Sequence, residues 1–329
     1  MDRSSASCYV YAKASGILAR SYIGSRASKL FAPAKLSELW ALVFEEDVPA
    51  VPEVLLARAI EQKAAQKFIL EYKNLLSSYD SPARVLVDLL QYFDYENLKS
   101  LGAAAAMGQK ERPPLRDIRP YNLLNYSAWP SIQKITQNSA LSWYDKEPEV
   151  YEQQQLDNEL DLQFIERLWD SSLELSGSER KTVQGLIAAR YSMRNIVWVL
   201  RLKVFYKMDR NQIVERLAFI NPKDLRRDAL GGDALDIVDK DLQSWDDWKD
   251  WKYARFLNPR EEGSLWSVDP SWVEESSEKD FIKKAGQKFH ADPGAQSALF
   301  CWYFLKAKEL DNIRMATEAL RLNIKVKEL

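Results

Sequence analysis

The chain has 329 residues, which is long for a single hydrophobic core and predicts two or three domains. Charged residues make up 29% of it and the formal net charge is −2, so the chain lacks the basic excess that nucleic-acid binding requires. Two cysteines and one histidine are too few for a zinc site, which needs about four clustered ligands.

No secretion signal or membrane-spanning segment is predicted from the sequence. Lys13 and Arg20 interrupt the apolar residues near the start, so a signal peptide is not predicted. The sequence has no run of about 18 apolar residues, the length that a membrane-spanning helix needs. The two cysteines, Cys8 and Cys301, lie far apart in the sequence, and a reduced, intracellular compartment is expected.

The first strong helical pattern covers residues 60–76. Apolar residues recur there at every fourth position, which predicts a helix with one buried face. Residues 77–82 break this helix, and Ser81 and Pro82 suit the N-cap and the first position of the next one. A second apolar stripe covers residues 85–101. Together these segments predict a helical hairpin.

The same plan recurs twice further along the chain. A helical pattern over residues 160–173 leads to a returning helix over 183–204, and one around Phe281 leads to a final helix over 298–322. A short glycine-containing break separates the two helices each time.

One motif marks each copy of this plan: a Phe in the first helix and an Asn followed by an aliphatic residue in the second. The three copies consist of Phe68 with Asn97 and Leu98, Phe164 with Asn195 and Ile196, and Phe281 with Asn312 and Ile313. The distances from Phe to Asn are 29, 31 and 31 residues. We therefore predict an all-α fold of three similar helical domains, over residues 1–114, 115–222 and 223–329.

An Asn within an apolar helix stripe is unusual, because a buried amide without hydrogen-bond partners costs a few kcal/mol. Three such residues at matching positions indicate a shared structural role. We predict that each Asn ties its helix to the backbone of a neighbouring helix. Direct contact with a partner protein is the alternative.

The usual catalytic and cofactor-binding patterns are not convincing in this chain. Residues 177–182 (GSERKT) lack the second glycine of a phosphate-binding loop. Cys301 and His290 would need a third positioned group to act as a nucleophilic pair, and no residue marks one. The acidic clusters at residues 45–47 and 157–159 are interpreted as surface. We expect no catalytic residue, cofactor or metal.

Three tryptophans, Trp245, Trp248 and Trp251, are spaced by three residues, which predicts that they lie along one face of a helix. Such a face would pack on a neighbouring domain. One functional alternative is a possible protein interface, because Trp is enriched among the residues that anchor protein contacts. A sugar-binding platform is a further alternative, although no polar cluster accompanies the run.

Three segments carry a resemblance to a known family. FDYENLKSL at residues 93–101 looks like a Tyr-Asp-x-x-Asn-Leu-Lys segment, with Phe93 in place of the tyrosine. AKELDNIR at residues 307–314 is similar to a C-terminal Glu-x-x-Asn-Ile/Leu-Arg helix, and residues 9–24 look like the N-terminal Tyr-x-Tyr helix of the same family. The chain resembles the C/d-type subunits of V-type and archaeal A-type rotary ATPases.

This resemblance implies a pseudo-threefold funnel of three helical domains. It implies a non-catalytic central-stalk subunit at the cytoplasmic face of the membrane, as part of a membrane-bound complex. Its partners would be the central shaft subunits and the membrane proteolipid ring, and it would couple ATP-driven rotation to proton or sodium transport. The ATP sites would lie in other subunits.

The residues alone leave other classes of protein open. A helical-repeat adaptor unrelated to ATPases could bind protein partners through a groove beside Trp245. An all-helical enzyme acting through carboxylates is a further alternative, because Asp and Glu are abundant.

Overall fold

The computed structural model describes residues 3–261, 263 and 265–324. Over these residues the secondary structure is helical and includes no β-strand, which confirms the predicted all-α class. In chain order the α-helices are α1 (Arg3–Leu18), α2 (Leu36–Phe44), α3 (Glu53–Leu76), α4 (Arg84–Ala106), α5 (Ile132–Thr136), α6 (Gln153–Leu173), α7 (Gly177–Val204), α8 (Arg210–Val214), α9 (Gly232–Leu235), α10 (Trp245–Trp248), α11 (Pro270–Ala291) and α12 (Ser297–Arg321).

The chain folds as two compact units. The first unit comprises residues 1–171 and 288–329, and the second comprises residues 172–287. The predicted division into three domains at residues 114 and 222 stays a prediction, as does their arrangement as a funnel.

The predicted helix of the first copy is confirmed. The face of α3 that contains Phe68 is buried along the helix, from Ile60 to Leu76. The predicted cap of the next helix is wrong, because α4 begins at Arg84 and its N-cap position is Ala83. The N–H of Ala83 donates to Oε1 of Gln296 at 2.6 Å, so a side chain from a distant part of the sequence satisfies this helix end.

In the first unit, α3 packs along α12. The rings of Tyr72 and Trp302 are stacked with centroids 6.1 Å apart. Eleven residues later on α12, Ile313 belongs to the same apolar cluster as Ile60 on α3. Later residues of one helix therefore meet earlier residues of the other, and the pair is antiparallel.

A second antiparallel pair in the first unit is formed by α4 and α6. Nε of Arg167 donates to Oδ1 of Asp88 at 2.7 Å. Nζ of Lys99 donates to Oδ1 of Asp161, also at 2.7 Å. The two ion pairs fix the register of the helices at two levels.

In the second unit, α7 packs antiparallel to α11. An amino group of Arg190 lies 2.7 Å from Oε2 of Glu278, and an amino group of Arg201 lies 2.5 Å from Oε2 of Glu274. The aromatic ring of Phe281 also lies 5.1 Å from the guanidinium of Arg190.

The three pairs share one rule. We call the helices with the motif Phe (α3, α6, α11) the Phe helices and those with the motif Asn (α4, α7, α12) the Asn helices. Each Asn helix pairs lengthwise with the Phe helix of the next copy, and the last Asn helix pairs with the first Phe helix. The sequence predicts the turn between the two helices of each copy. The helix that packs lengthwise against each of them, however, belongs to another copy of the motif.

Candidate functional site

The first motif Asn fixes the backbone of the segment that follows its helix. Oδ1 of Asn97 accepts the N–H of Arg116 and Nδ2 donates to the carbonyl of the same residue, both at 2.9 Å. Nδ2 also donates to the hydroxyl of Tyr126 at 2.9 Å. Both backbone groups of one loop residue are thus held by one side chain.

The other two copies repeat this contact. Asn195 accepts the N–H of Ala218 at 3.0 Å and donates to its carbonyl at 2.8 Å and to that of Leu230 at 2.9 Å. Nδ2 of Asn312 donates to the carbonyl of Tyr22 at 3.0 Å. Each Asn therefore holds the segment that leads into the Phe helix with which its own helix pairs.

The predicted tie from each Asn to a backbone segment is confirmed, but the prediction that this segment is a helix is wrong. The partner segments are irregular rather than helical, so their N–H and carbonyl groups lack the partners that a helix would provide. Asn97 and Asn195 supply partners to both groups, whereas Asn312 supplies one to the carbonyl of Tyr22 and Glu309 supplies one to its N–H. All three Asn side chains are buried and hydrogen-bonded.

Two carboxylates extend these ties. Both belong to the segments that carry the family resemblance, at residues 93–101 and 307–314, but no hydrogen-bonding role was predicted for them. Each lies three residues before the motif Asn, on the same face of its helix. Asp94 accepts hydrogen bonds from the N–H of Leu123 and the hydroxyl of Tyr126. Oε1 of Glu309 accepts the N–H of Tyr22 at 2.7 Å. An acidic residue three positions before the Asn is the pattern that these two segments share.

The middle copy has Ser192 at this position and obtains its carboxylate elsewhere. Asp228, which is 5% exposed, lies in the loop itself. Its two oxygens accept N–H groups at 2.6–2.8 Å from Ile220, Asn221, Leu230 and Gly231. In the middle copy the carboxylate that binds the loop N–H groups therefore belongs to the loop itself rather than to the Asn helix.

A buried lysine joins the two ends of the chain. Lys306 is 3% exposed and its Nζ lies 2.9 Å from Oε2 of Glu71. It also donates to Glu309 and, at 3.1 Å, to Oγ of Ser21. The network attaches the segment after α1 to α12, and a buried cation needs such partners to offset its loss of hydration.

Burial raises the pKa of Asp94 to about 6, against the opposing effect of the hydrogen bonds from Tyr126 and Leu123. Burial, and then the charge of Asp94, raise the pKa of Tyr126. The Tyr126 hydroxyl consequently remains a donor to Asp94 over the physiological pH range.

The residues considered for nucleophilic chemistry have ordinary structural surroundings. Cys301 is fully buried, and burial raises the pKa of its thiol to about 12, so the reactive thiolate is disfavoured. His290 is exposed in the last turn of α11, and its Nδ1 lies 2.8 Å from the hydroxyl of Tyr11. Within the described residues, no group of three or more acidic, Cys or His side chains could hold a metal ion.

The tryptophan run belongs to the core of the second unit. Trp248 is 0% exposed and Trp251 is 8% exposed, and Nε1 of Trp248 donates to the carbonyl of Asp241 at 2.6 Å. The helix here is a single turn, so the three residues do not share one long face. Side chains buried within their own unit cannot contact a partner, so the interface interpretation does not hold for Trp248 and Trp251. Trp245 is half-buried against the same core.

Ten exposed apolar side chains lie instead at one end of each helix pair, where the Phe helix begins and the Asn helix ends, while others, such as Leu70 and Leu173, lie elsewhere. We call these ten side chains the apolar helix ends. They comprise Val54, Leu55, Leu322 and Ile324 in the α3–α12 pair, Met107, Val150 and Tyr151 in the α4–α6 pair, and Phe205, Tyr206 and Trp272 in the α7–α11 pair. Each of these side chains is between 45% and 81% exposed. Clustered exposed apolar residues mark sites of protein or membrane contact.

Repeated helix pairs with buried polar ties and apolar ends define a class: an all-helical repeat protein whose distinctive surfaces suit contact with other proteins. The family model described as ATP synthase (C/AC39) subunit matches residues 47–329, and the chain belongs to this family. Membership confirms the resemblance seen in the motifs and identifies the chain as one of the subunits of a V-type or A-type ATPase.

A comparison with a bacterial relative covers nearly the whole chain. The chain is 26% identical over 328 residues to a protein named "Uncharacterized protein" from Treponema pallidum (strain Nichols). The aligned region covers 97% of this chain and 94% of the relative. None of the helices in the described residues combines the length and apolar character needed to cross a membrane.

Proposed function

We propose that this chain is the non-catalytic central-stalk subunit of its ATPase. It connects the rotating shaft to the membrane proteolipid ring and so couples ATP hydrolysis to proton or sodium transport. It works at the cytoplasmic face of the membrane, as part of the membrane-bound complex. The observation that carries the proposal is the apolar end repeated on all three helix pairs.

A subunit that transmits torque must resist deformation, and the helix pairs support this role. Each pair combines close packing with an ion pair between its helices. These ion pairs are Glu71 with Lys306, Asp88 with Arg167, and Glu278 with Arg190. The Asn ties hold the connecting segments, which would otherwise be the softest parts of the chain.

The apolar helix ends are proposed to contact the proteolipid ring. Exposed side chains such as Tyr151, Tyr206 and Leu322 gain free energy when a partner removes them from water. An interface that persists under load must bury a large or well-matched surface. The shaft would then be received by more polar surfaces of the chain.

A coupling measurement tests the proposal. We expect Tyr151→Ser, Tyr206→Ser and Leu322→Ser together to leave ATP hydrolysis by native membranes in place while ATP-driven ion transport is lost. The matched control replaces two exposed lysines outside these ends, Lys181 and Lys283, with Ser. Transport that is unchanged in the triple variant would contradict the proposed ring contact.

A further inference from the structure

Arg116 is held in an unusually defined position for a loop residue. Asn97 bonds both its N–H and its carbonyl at 2.9 Å, so the backbone cannot shift without breaking two hydrogen bonds. The guanidinium lies over the ring of Phe93, 5.4 Å from the centroid. Stacking on an aromatic face leaves the N–H groups at the guanidinium edge available.

This half-buried guanidinium has no hydrogen-bond or ion-pair partner among the residues that the structure describes. Other partly buried cations in the unit differ, since Arg167 pairs with Asp88 and Lys306 pairs with Glu71. Partial burial of a cation without a neighbouring anion is costly, so a carboxylate placed beside Arg116 would be stabilised.

The surrounding charges add to this cost. Burial lowers the pKa of Arg116, and the nearby charge of Arg314 lowers it further. The carboxylate of Glu96 partly offsets the effect but is itself 3.0 Å from Nζ of Lys99. The electrostatic environment of Arg116 thus favours the arrival of an additional anion.

The feature is specific to one copy of the repeat. The residues that occupy the corresponding position against the motif Asn in the other copies are Ala218 and Tyr22. Asn97 therefore does more than close a loop: it places a cation that the other two copies lack.

We propose that Arg116 binds the carboxylate of an acidic side chain on another subunit of the ATPase. The planar guanidinium offers two parallel N–H groups, which match the two oxygens of a carboxylate. The inference rests on the proposed function, because it requires that the chain works inside a complex. A contact present in one copy alone would give an otherwise threefold repeat a single preferred orientation on an asymmetric partner.

Affinity capture of the tagged full chain from its native membranes tests the contact. Arg116→Met keeps an apolar stem on Phe93 but removes the charge, and Arg20→Met removes an exposed arginine of the same unit as a control. We expect Arg116→Met to retain at least one ATPase subunit about tenfold less well than the wild type, and Arg20→Met to retain all of them. The thermal stability of Arg116→Met should equal or exceed that of the wild type, because an unpaired half-buried cation is removed.

A zero-length cross-link reads the contact directly. In the Arg116→Lys variant, a carbodiimide should join the amine at position 116 to an Asp or Glu of a partner subunit, and mass spectrometry identifies the linked peptides. The Arg20→Lys variant should give no such product. Suppose that the wild type recovers the ATPase subunits, that Arg116→Met retains them equally well, and that Arg116→Lys forms no cross-link. These results would overturn the inference on Arg116 but not the proposed function. Failure of the wild type to recover any ATPase subunit would overturn the proposed function as well.

Discussion

Two aromatic regions of the second unit differ in their exposure to solvent. Trp248 in the tryptophan run is 0% exposed, whereas Phe205 and Tyr206, which follow α7, are 64% and 65% exposed. The run of three tryptophans is the more conspicuous feature of the sequence, yet its side chains fill the core beside α7. The Phe-Tyr pair is inconspicuous in the sequence and forms part of a repeated surface.

The difference shows what decides whether an aromatic residue is available to a partner. Trp248 finds apolar neighbours and a backbone acceptor within its own unit, so folding already removes it from water. Phe205 and Tyr206 lie just beyond the last residue of α7, and both side chains remain largely exposed to solvent there. A second protein can therefore stabilise the latter pair and not the former.

The largest expected effect comes from the buried region. Trp248→Ala should lower the free energy of unfolding by about 3–5 kcal/mol, because it leaves a cavity in the core. Denaturant unfolding followed by circular dichroism would measure this, with Phe205→Ala as the exposed aromatic control. Equal losses in the two variants would remove the distinction between the regions.

A pH-dependent contribution is expected from Asp94. Its pKa is raised from 3.8 to about 6 in the folded protein, so the folded state binds this proton more tightly than the unfolded chain does. The stability from this group is complete below the unfolded pKa and is lost as the pH rises through about 6. Relative to Asp94→Asn, the wild type should lose about 3 kcal/mol of unfolding free energy between pH 3 and pH 7.

Unfolding curves of the two proteins at several pH values in this range measure the difference. A constant difference between wild type and variant would show that burial does not perturb Asp94.

The Asn ties should have a somewhat smaller effect. Asn195→Leu leaves the N–H and carbonyl of Ala218 without their partner, and we expect a loss of about 2–3 kcal/mol in unfolding free energy. Asn195→Asp can still accept the N–H and should lose less. Hydrogen exchange of the Ala218 amide gives a local readout, and protection that persists in Asn195→Leu would argue against the tie.

Substitutions in the exposed region, at Phe205 and Tyr206, should weaken partner binding without lowering the stability of the free chain. Phe205→Ser with Tyr206→Ser should change the unfolding free energy by less than about 0.5 kcal/mol, because neither side chain is buried in the free chain. The same variant should lose retention of the proteolipid ring in affinity capture. Destabilisation with full retention would reverse the assignment of the two regions.

The sequence predicts those parts of the fold that depend on local patterns. The apolar stripe through Phe68 follows from helical periodicity, and the tie from Asn97 follows from the cost of burying an amide. The break after α3 is also local and predictable, although the cap lies at Ala83 rather than at Ser81.

What the sequence did not predict depends on long-range contacts. Periodicity shows that a helix has a buried face but not which helix covers it, so the pairing of α3 with α12 could not be derived. The identity of the segments that cover Trp248 and the acceptor role of Glu309 depend in the same way on residues far away in the sequence. The apolar helix ends are visible only once the exposure of each residue is known.

The most direct test of the central claim is capture of the tagged chain from its native membranes in mild detergent, with mass spectrometry of the proteins that accompany it. The account predicts near-stoichiometric recovery of the ATPase catalytic subunits, a shaft subunit and the proteolipid of the ring. Recovery of the chain alone, or with soluble partners unrelated to the ATPase, would contradict the coupling role and favour a helical-repeat adaptor.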